Sequence, residues 1–515
     1  MSAGLDTALS LPARLTLAAI VLAGLILRLW ANDAAVPFRM GVDEPAILST
    51  ALRMIRTGDF HPHFFDYGGL TLYLHAAIGI LGFVAGARDG RWSNLDAFWE
   101  GDMLVPGRTA TAIFAAVTIV LVFRIGLRWG TPTALVAALA MALLPAHVRE
   151  AHFILTDTPL TLLVTATLLL SLRAAESGRL GAVALAGLAA GLAAAIKYNG
   201  AAALIMPLIA AVGLPAGRRL AGACIAVGAA GAGFLLTAPY TVLALPEFLN
   251  RLAALMQAYN RDRPMRVVMA NYVAYLRNWF AWPGVLPAQI GYVPLAAALG
   301  GWAVAIARAS GLKGYLHAAL LVVFPVLYFW FMSSQTLQYG RYLLPIGPML
   351  AVGLGLGIVA AARAIGTWVP AARRAALPFL LVLLLGAPTL ATLAWLRTHG
   401  RTSTLEQAGA WLVEHGSPGD RVAFENVATF HLPPPLVLVR AGELISRTVD
   451  EYRADQVTWL ILTSDRSSTY HADPVGNRAR IAAYQTMLAM TEPAATFTPT
   501  ADHPGATVTI LRLRR

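Results

Sequence analysis

Apolar residues are concentrated along this chain in blocks of roughly twenty, the length that an α-helix needs to cross about 30 Å of hydrocarbon. Polar connections separate the blocks as far as residue 396, and from residue 397 short apolar runs alternate with polar and turn residues. The pattern predicts a membrane domain, residues 1–396, followed by a small soluble domain, residues 397–515. The blocks that we predict to cross the membrane are Leu15–Trp30, Ala112–Phe123, Ala134–Pro145, Leu160–Leu172, Gly181–Ile196, Ala201–Leu214, Ala221–Ala238, Val293–Ile306, Tyr315–Met332, Leu343–Ala362 and Ala376–Leu396.

Paired cations occur in the connections after every second block, and the positive-inside rule assigns such connections to the cytoplasm. Arg14, before the first block, agrees with this assignment. We therefore predict a multi-pass protein of the plasma (inner) membrane with a cytoplasmic N-terminus and an extracytoplasmic C-terminal domain. The cation groups are Arg124/Arg128, Arg173/Arg179, Arg218/Arg219, Arg308/Lys313 and Arg363/Arg373/Arg374.

One further apolar stretch, Leu70–Ala87, conflicts with this orientation, because every later cation pair would face outward if it crossed. It follows Gly68-Gly69 and is flanked by polar runs, so we expect it to lie along the outer membrane surface. Residues 31–108 then form one large external loop. Residues 240–287 form a second one, rich in Trp and Tyr, as is typical of the headgroup interface.

The composition agrees with a lipid environment, since 57% of the residues are hydrophobic and 13% are charged. The net charge of +12 does not indicate nucleic-acid binding, because the cations lie between apolar blocks rather than on one face of a soluble domain. A single cysteine, Cys224, excludes a disulfide framework. The expected partners are therefore membrane lipids and no nucleic acid.

The C-terminal segment has the pattern of an α/β domain. Thr404 is the expected N-cap of a helix that ends at His415. A second helix is expected over Gly476–Met490. Strand patterns occur at Arg421–Glu425, Leu436–Arg440, Val457–Thr463 and Thr507–Leu513. No residues in this segment have the spacing of a catalytic motif.

Carboxylates of the first external loop are candidates for chemistry, because ionisable residues at a membrane boundary are costly. Asp43 and Glu44 are adjacent, so that one can face a substrate while the other holds the loop; a solvated pair at a helix start is the alternative. Asp66 and Tyr67 precede Gly68-Gly69, where a ligand could approach the backbone closely, although a simple turn also explains this motif.

Three residues near the second and third spans are further candidates. Arg108 lies at the external end of the second span, where it could instead extend its charge toward lipid phosphates. His152 and Asp157 lie in the next external turn. Asp157 could bind a ligand or could simply begin a helix with Pro159 in its first turn.

Lys197 and Arg341 are cations at external boundaries, where the positive-inside rule disfavours them. Tyr342 follows Arg341 directly. An anionic partner accounts most economically for the two cations. Together with external carboxylates they suit cleavage of a bond to a lipid phosphate, because Arg and Lys stabilise the departing phosphate and a carboxylate accepts the proton of an incoming hydroxyl.

At these residues the sequence resembles glycosyltransferase family 39 and its GT-C relatives, which include protein O-mannosyltransferases, lipid A aminoarabinose transferases and carrier-dependent bacterial transferases. The resemblance covers about Leu15–Ala362 and lies in the order of features rather than in one motif. Those features are Asp43-Glu44, Phe64-Phe65-Asp66-Tyr67-Gly68-Gly69-Leu70, Arg108, His152 with Asp157, Lys197-Tyr198, and Arg341-Tyr342 with Pro345.

The resemblance implies an all-α polytopic membrane protein of the GT-C fold, with about eleven transmembrane helices and external juxtamembrane helices, beside the small α/β domain. It implies a polyprenyl-phosphate-linked sugar as donor and transfer with inversion to an acceptor hydroxyl of a lipid, glycan or protein. Asp43 is then the catalytic base with Glu44 as its neighbour, and Arg341 binds the carrier phosphate.

The remaining candidates extend this site. We expect Lys197, Arg108 and Tyr342 to contribute to phosphate binding, and Asp157, His152, Asp66 and Tyr67 to sugar or acceptor binding. Relatives often have Lys or His before Pro-Pro-Leu where this chain has Tyr67-Gly68-Gly69-Leu70, so a family role for a cation there is not transferable.

No His, Asp or Glu group in the sequence has metal-ligand spacing, so we assign no metal residues, and a divalent-metal cofactor stays open. Two other classes also stay open. A transporter or flippase of a lipid-linked sugar would use the same cations, although internal repeats are not evident. A non-catalytic membrane scaffold that presents the C-terminal domain is the other.

Overall fold

The computed structural model describes residues 9–259, 263–280, 287–425 and 430–513. Residues 260–262 and 281–286 of the predicted second external loop therefore lie outside the described residues. The helices before residue 400 are α1 (Leu11–Leu29), α2 (Glu44–Thr57), α3 (Gly69–Arg88), α4 (Glu100–Gly126), α5 (Thr131–Leu143), α6 (Pro145–Glu150), α7 (Asp157–Ser177), α8 (Leu180–Ile196), α9 (Ile205–Ala211), α10 (Arg219–Thr237), α11 (Tyr240–Leu243), α12 (Leu245–Tyr259), α13 (Met265–Asn278), α14 (Tyr292–Ala307), α15 (Gly311–Ser333), α16 (Gly347–Trp368) and α17 (Ala376–His399).

The membrane part is helical throughout its apolar blocks. Within the described residues, nine helical stretches are long and apolar enough to span a bilayer, and eight of them contain predicted spans. The three other predicted spans fall on shorter apolar helices: α5, α8 and the stretch Tyr198–Ala211. The ninth long helix is α3, with 20 residues and a mean hydropathy of 1.8. Its length and composition would allow it to cross, so its expected position along the surface stays a prediction.

Two helical stretches begin with 3₁₀ turns, Tyr198–Leu204 before α9 and Gly340–Ile346 before α16. The residues just before these turns, Lys197 and Tyr339, have extended backbones, with φ of −151° and −134°. Irregular backbone within a membrane protein is tolerated where protein or a cavity surrounds it. These two breaks hold the candidate cations.

Small residues allow the central helices to pack with their backbones in contact. A Cβ added at Gly191 of α8 would lie 2.0 Å from the carbonyl oxygen of Ala230 in α10. A Cβ at Gly301 of α14 would lie 1.8 Å from the carbonyl oxygen of Gly353 in α16. Lipid supplies no hydrophobic force between helices, so close packing of this kind is a main source of their association.

Arg28 of α1 is fully buried and joins α1 to the C-terminus of α5. Its guanidinium donates to the carbonyl oxygens of Met141 and Ala142 at 3.1 and 3.0 Å, and lies 2.8 Å from Nδ1 of His147. α5 ends at Leu143 because Pro145 begins the next helix, which leaves these carbonyls without helical partners. The charge therefore has a structural role.

A second compact unit contains residues 31–46, 92–105 and 397–515, whereas the first contains residues 1–30, 47–91 and 106–396. The loop 31–108, which the sequence assigned as a whole to the membrane domain, is thus divided between the two units. The remaining elements are α18 (Thr404–His415), α19 (Val449–Ala454), α20 (Ser464–His471), α21 (Arg478–Ala489), β1 (Arg421–Glu425), β2 (Val437–Ala441), β3 (Val457–Thr463), β4 (Thr491–Phe497) and β5 (Val508–Leu513).

The five strands form one mixed sheet in the order β2-β1-β3-β5-β4. β2, β1 and β3 are parallel, and β5 is antiparallel to both β3 and β4. Alternate residues pack on opposite faces: Phe424 joins the cluster that contains α18 residues, and Ala423 joins the one beneath α19 and α21. The α/β pattern predicted for this segment is therefore present.

Several details of this unit differ from the sequence prediction, among them the helices α19 and α20, which were not predicted. Ser403, not Thr404, is the N-cap of α18, because its hydroxyl accepts a hydrogen bond from the Glu406 N–H. The strand β4 was not predicted. It contains Pro493, and a proline is tolerated there because β4 lies at the edge of the sheet. The loop 31–46 adds to this unit through an antiparallel bridge between Arg39 and Phe430.

The adjacent glycines 300 and 301 allow a matched test of the α14–α16 contact. We expect Gly301→Ala to lower the free energy of unfolding by about 1–3 kcal/mol, because the new methyl group overlaps the Gly353 carbonyl oxygen. Gly300→Ala should be neutral or slightly stabilising, since nothing lies within 4 Å of the added atom. Thermal unfolding in detergent measures both, and equal effects would contradict this packing.

Candidate active site

Asp157 is the centre of the candidate site. It is the first residue of α7, with Thr156 rather than Asp157 at the N-cap, and the positive end of the helix dipole favours its negative charge. Its side chain is only 1% exposed. A carboxylate buried to this degree needs partners, and its position at the end of a helix leaves its oxygens directed toward other segments.

Two cations share this carboxylate. Lys197 Nζ lies 2.8 Å from Asp157 Oδ1, and Arg341 Nε lies 3.5 Å from Asp157 Oδ2. The cationic side chains are 12% and 14% exposed. Three residues that were separate candidates in the sequence thus form one cluster, in which two cations contact one carboxylate.

Aromatic rings surround the two cations. Lys197 Nζ lies 4.1 Å from the centroid of the Tyr342 ring, and Arg341 Cζ lies 4.3 Å from that of Tyr339. The Tyr342 hydroxyl lies 3.3 Å from the hydroxyl of Tyr259, at the end of α12. Cation–π contacts stabilise charge where water is scarce. Tyr342 therefore belongs to the cluster, although it contacts the cations with its ring.

Sequence reasoning missed a second layer of this site. The Tyr328 hydroxyl donates to the Tyr342 carbonyl oxygen at 3.1 Å and accepts from Asn199 Nδ2 at 2.9 Å. The Tyr272 hydroxyl is buried and has no hydrogen-bond partner among the described residues, and its burial raises its pKa. The polar atoms of Tyr272 and Tyr328 lie within or beside apolar helical segments, a sequence signal that could have identified them.

Tyr198 joins the first external loop to the Lys197 turn. Its hydroxyl lies 3.0 and 3.1 Å from the carbonyl oxygens of Phe65 and Tyr67. The Gly68 N–H donates to the Ile196 carbonyl oxygen at 3.2 Å, and a Cβ at Gly68 would lie 2.0 Å from the Ala195 carbonyl oxygen. The close approach that glycine permits here is therefore one between two protein segments, not one by a ligand.

Asp66 is paired with Arg251 of α12. Both carboxylate oxygens accept from the guanidinium, one of them from Nη2 at 2.6 Å. Asp66 thus holds the loop between α2 and α3 against α12, close to the turn that follows Lys197. Its expected role in sugar or acceptor binding stays a prediction.

His152 and Arg108 lie together near the start of α7. The ring nitrogens of His152 lie 2.8 and 3.0 Å from the carbonyl oxygens of Val148 and Trp30, and burial lowers its pKa to about 4. Arg108 Cζ lies 5.8 Å above the Phe153 ring, and the guanidinium is buried. Arg108 is therefore not extended into solvent. The Phe153 ring that Arg108 contacts is not part of the Asp157 cluster.

Asp43 and Glu44 belong to the second compact unit. Glu44 is buried at the start of α2, and its carboxylate accepts a hydrogen bond from the Gly41 N–H. Asp43 is half-buried just before the helix. The two neighbours thus differ in environment, with Glu44 holding the turn, as the sequence suggested for one of the pair.

One cluster of metal-ligating types forms that the sequence did not indicate. His61, His63 and Glu247 have ligand atoms within 4.8 Å of one another. Glu247 lies on α12, 184 positions beyond His63, so linear spacing could not identify the group.

Residues 99–242, which run from α4 to α11 and include Arg108, Asp157 and Lys197, match the sequence profile of a family described as dolichyl-phosphate-mannose-protein mannosyltransferase. No curated protein matches the chain.

Solved structures have a similar fold over most of this chain. ArnT from Cupriavidus metallidurans bound to undecaprenyl phosphate is 14% identical, with 98% of each chain covered and a TM-score of 0.56. The oligosaccharyltransferase AglB from Archaeoglobus fulgidus, in complex with an inhibitory peptide and a dolichol-phosphate, is 12% identical over 88% of this chain and 69% of its own, with a TM-score of 0.53. This chain is a multi-pass membrane protein with the GT-C fold, and the resemblance seen in the sequence is confirmed.

The shared carboxylate allows a stability test. We expect Asp157→Asn to destabilise the protein by about 3–5 kcal/mol, because it leaves two mostly buried cations facing one another. Adding Lys197→Met to that variant should restore part of the loss, since one cation is removed. Asp89→Asn is the control, as Asp89 pairs with Arg91 at an exposed site. Stability is measured by thermal unfolding in detergent. If Asp157→Asn is as stable as the Asp89→Asn control, Asp157 does not stabilise the two cations as described.

Proposed function

We propose that this protein is a membrane glycosyltransferase that moves a sugar from a polyprenyl-phosphate donor to an acceptor hydroxyl on the extracytoplasmic side of the membrane. The observation that carries the proposal is the Asp157–Lys197–Arg341 cluster, in which two cations from distant segments meet beside one carboxylate. Lys and Arg held this close together are suited to a phosphate, which accepts charge-assisted hydrogen bonds from both.

An apolar groove beside the cluster supports a lipid as the carrier of that anion. A cavity of ≈ 410 Å³ lies between α8, α10 and α12 and is lined almost entirely by apolar side chains. Tyr198, which also lines it, directly follows Lys197. A polyprenyl chain bound in this groove would place the phosphate at its end near Lys197. A free sugar nucleotide has no lipid chain that could bind in this apolar groove.

The chemical step is a single displacement. Asp43 removes the proton from the acceptor hydroxyl, the acceptor oxygen forms a bond to the anomeric carbon, and the bond from that carbon to the phosphate oxygen breaks. The released polyprenyl phosphate carries the negative charge that Lys197 and Arg341 stabilise. Attack opposite the leaving phosphate inverts the anomeric centre. The assignment of Asp43 rests on the family resemblance and on the separate, loop-holding role of Glu44.

The comparison proteins are compatible with this reading. One was solved with undecaprenyl phosphate and one with a dolichol-phosphate and a peptide. By analogy, we propose a lipid-phosphate donor for this chain and an acceptor that is a lipid, a glycan or a protein. Arg108, Tyr342, His152, Asp66 and Tyr67 are proposed to line or support the binding region.

Carrier binding is testable with undecaprenyl phosphate as the probe. Lys197→Met should weaken its binding by about 10- to 100-fold, because a hydrogen bond to a charged group contributes about 1.5–3 kcal/mol. Val227→Trp should also weaken binding by filling the groove that Val227 lines. Binding to purified protein in nanodiscs can be measured by native mass spectrometry.

Leu220→Trp is the control for the groove, since Leu220 lies on the same helix, is 78% exposed and does not line the cavity. It should bind the probe as the unchanged protein does. Equal binding by all three variants would reject both the phosphate site and the groove.

Catalysis is tested by Asp43→Asn. We expect this variant to bind undecaprenyl phosphate normally and to lose sugar transfer by a factor of about 100 or more, because a general base contributes roughly 10²–10⁴-fold. The measurement is release of free polyprenyl phosphate when the protein is mixed with lipid-linked sugars and acceptor-containing membranes of its host. Asp89→Asn, at an exposed pair, is the matched control.

The same assay separates the competing classes. A flippase would move the lipid-linked sugar across vesicles without cleaving it, and a scaffold would do neither. Near-normal release by Asp43→Asn would reject Asp43 as the base, while absence of release from the unchanged protein would reject the transferase itself.

A further inference from the structure

Two histidines and a glutamate meet where the loop between α2 and α3 contacts α12. His61 Nε2 lies 3.5 Å from Glu247 Oε2, and the rings of His61 and His63 have centroids 3.9 Å apart. All three side chains offer ligand atoms within 4.8 Å of one another. Glu247 and His63 are exposed and His61 is partly exposed, so an ion could reach the group from solvent.

We propose that His61, His63 and Glu247 bind a divalent transition-metal ion, with Zn²⁺ as the best match. Two ligand atoms on a tetrahedral zinc ion, each about 2.0–2.1 Å from it, are about 3.3 Å apart. The His61–Glu247 separation is close to that value, and His63 needs only a small side-chain movement to complete the set. Two imidazoles and one carboxylate are ligands that zinc accepts, with a fourth position left for water.

Asp59 provides the outer contacts expected around such a site. Its carboxylate lies 3.2 Å from His63 Nε2 and accepts a hydrogen bond from the backbone N–H of His61 at 2.9 Å. Carboxylates that hold a ligating histidine orient the ring and strengthen the ligand. His63 also has a φ of +48°, a left-handed backbone that a non-glycine residue adopts at a cost. The loop thus directs both histidines to the same side.

Coordination would also change one local hydrogen bond. The His63 N–H now donates to His61 Nδ1 at 3.0 Å, which places the His61 proton on Nε2, facing Glu247. An ion bound at Nε2 displaces that proton, and Nδ1 then carries one instead. The His63 N–H must therefore leave Nδ1 when the metal binds, so loading is coupled to a small movement of the loop.

The ion would connect two segments that border the candidate active site. Glu247 and Arg251 lie one turn apart on α12, and Arg251 holds Asp66 of the same loop. Phe248, between them, contacts the rings of Phe65 and Tyr198. A metal at His61 would thus fasten the loop to α12 at a second point. This role is structural and does not depend on the proposed transfer reaction.

The test uses the full-length, untagged protein in detergent, stripped with a chelator and then titrated with ZnCl₂. We expect one zinc ion per chain after dialysis, measured by elemental mass spectrometry, together with a rise in the midpoint of thermal unfolding. Glu247→Gln and His63→Ala should each abolish stoichiometric binding. Asp59→Asn, which alters only the outer contact, should weaken zinc affinity by about 10- to 100-fold.

The control is the double variant Glu414→Gln/His415→Ala, which removes an exposed His–Glu pair of the C-terminal unit that has no second histidine in contact. It should retain one zinc ion and the thermal shift. The proposal is overturned if the unchanged protein binds less than one ion, or if Glu247→Gln and His63→Ala both keep it. Loss of binding in the control would place the ion elsewhere and also overturn the proposal.

Discussion

One buried carboxylate, Asp157, holds together the polar centre of the membrane unit. Two cations from distant parts of the chain reach it in surroundings where an unpaired charge would cost several kcal/mol. The backbone departs from regular α-helix where both cations lie: Lys197 directly precedes one 3₁₀ turn, and Arg341 lies within the other. The second turn also places the Tyr342 ring beside Lys197, and the Tyr342 hydroxyl lies 3.3 Å from that of Tyr259 on α12. Ion pairing thus stabilises the irregular backbone at both positions.

The close packing of small residues supplies the frame in which this cluster is held. At Gly191 and Gly301 the neighbouring helix backbone occupies the space that a side chain would need. Gly68 has the same property, but there the contact joins the first external loop to the end of α8, next to Lys197. Packing and site are therefore not independent. Gly68, which the sequence suggested as a point of ligand approach, packs against the end of α8. It thereby positions the segment that carries Lys197, where the phosphate is proposed to bind.

Several features of this site followed from the residues alone. Charged residues at the predicted membrane boundaries are costly, so Lys197, Arg341 and Asp157 could be identified as candidates before any coordinates. Their grouping could not, because residues 157, 197 and 341 lie on three separate segments. The same reason hid the His61–Glu247 contact and the hydrogen bonds of Tyr328. The Asp66 pair with Arg251 was likewise invisible, since ion pairs between loops depend on the path of the chain.

The sequence by itself determined that this is a polytopic membrane protein with the GT-C order of features and a small α/β unit after the last span. It could do so because hydrophobic length and period depend on solvent and on local geometry, both of which are encoded residue by residue. The three-dimensional structure was needed to show which charges share a partner, which glycines contact a neighbouring backbone, and how residues 31–108 are divided between two units. Those properties depend on contacts between residues far apart in the chain, and a linear pattern does not specify such distances.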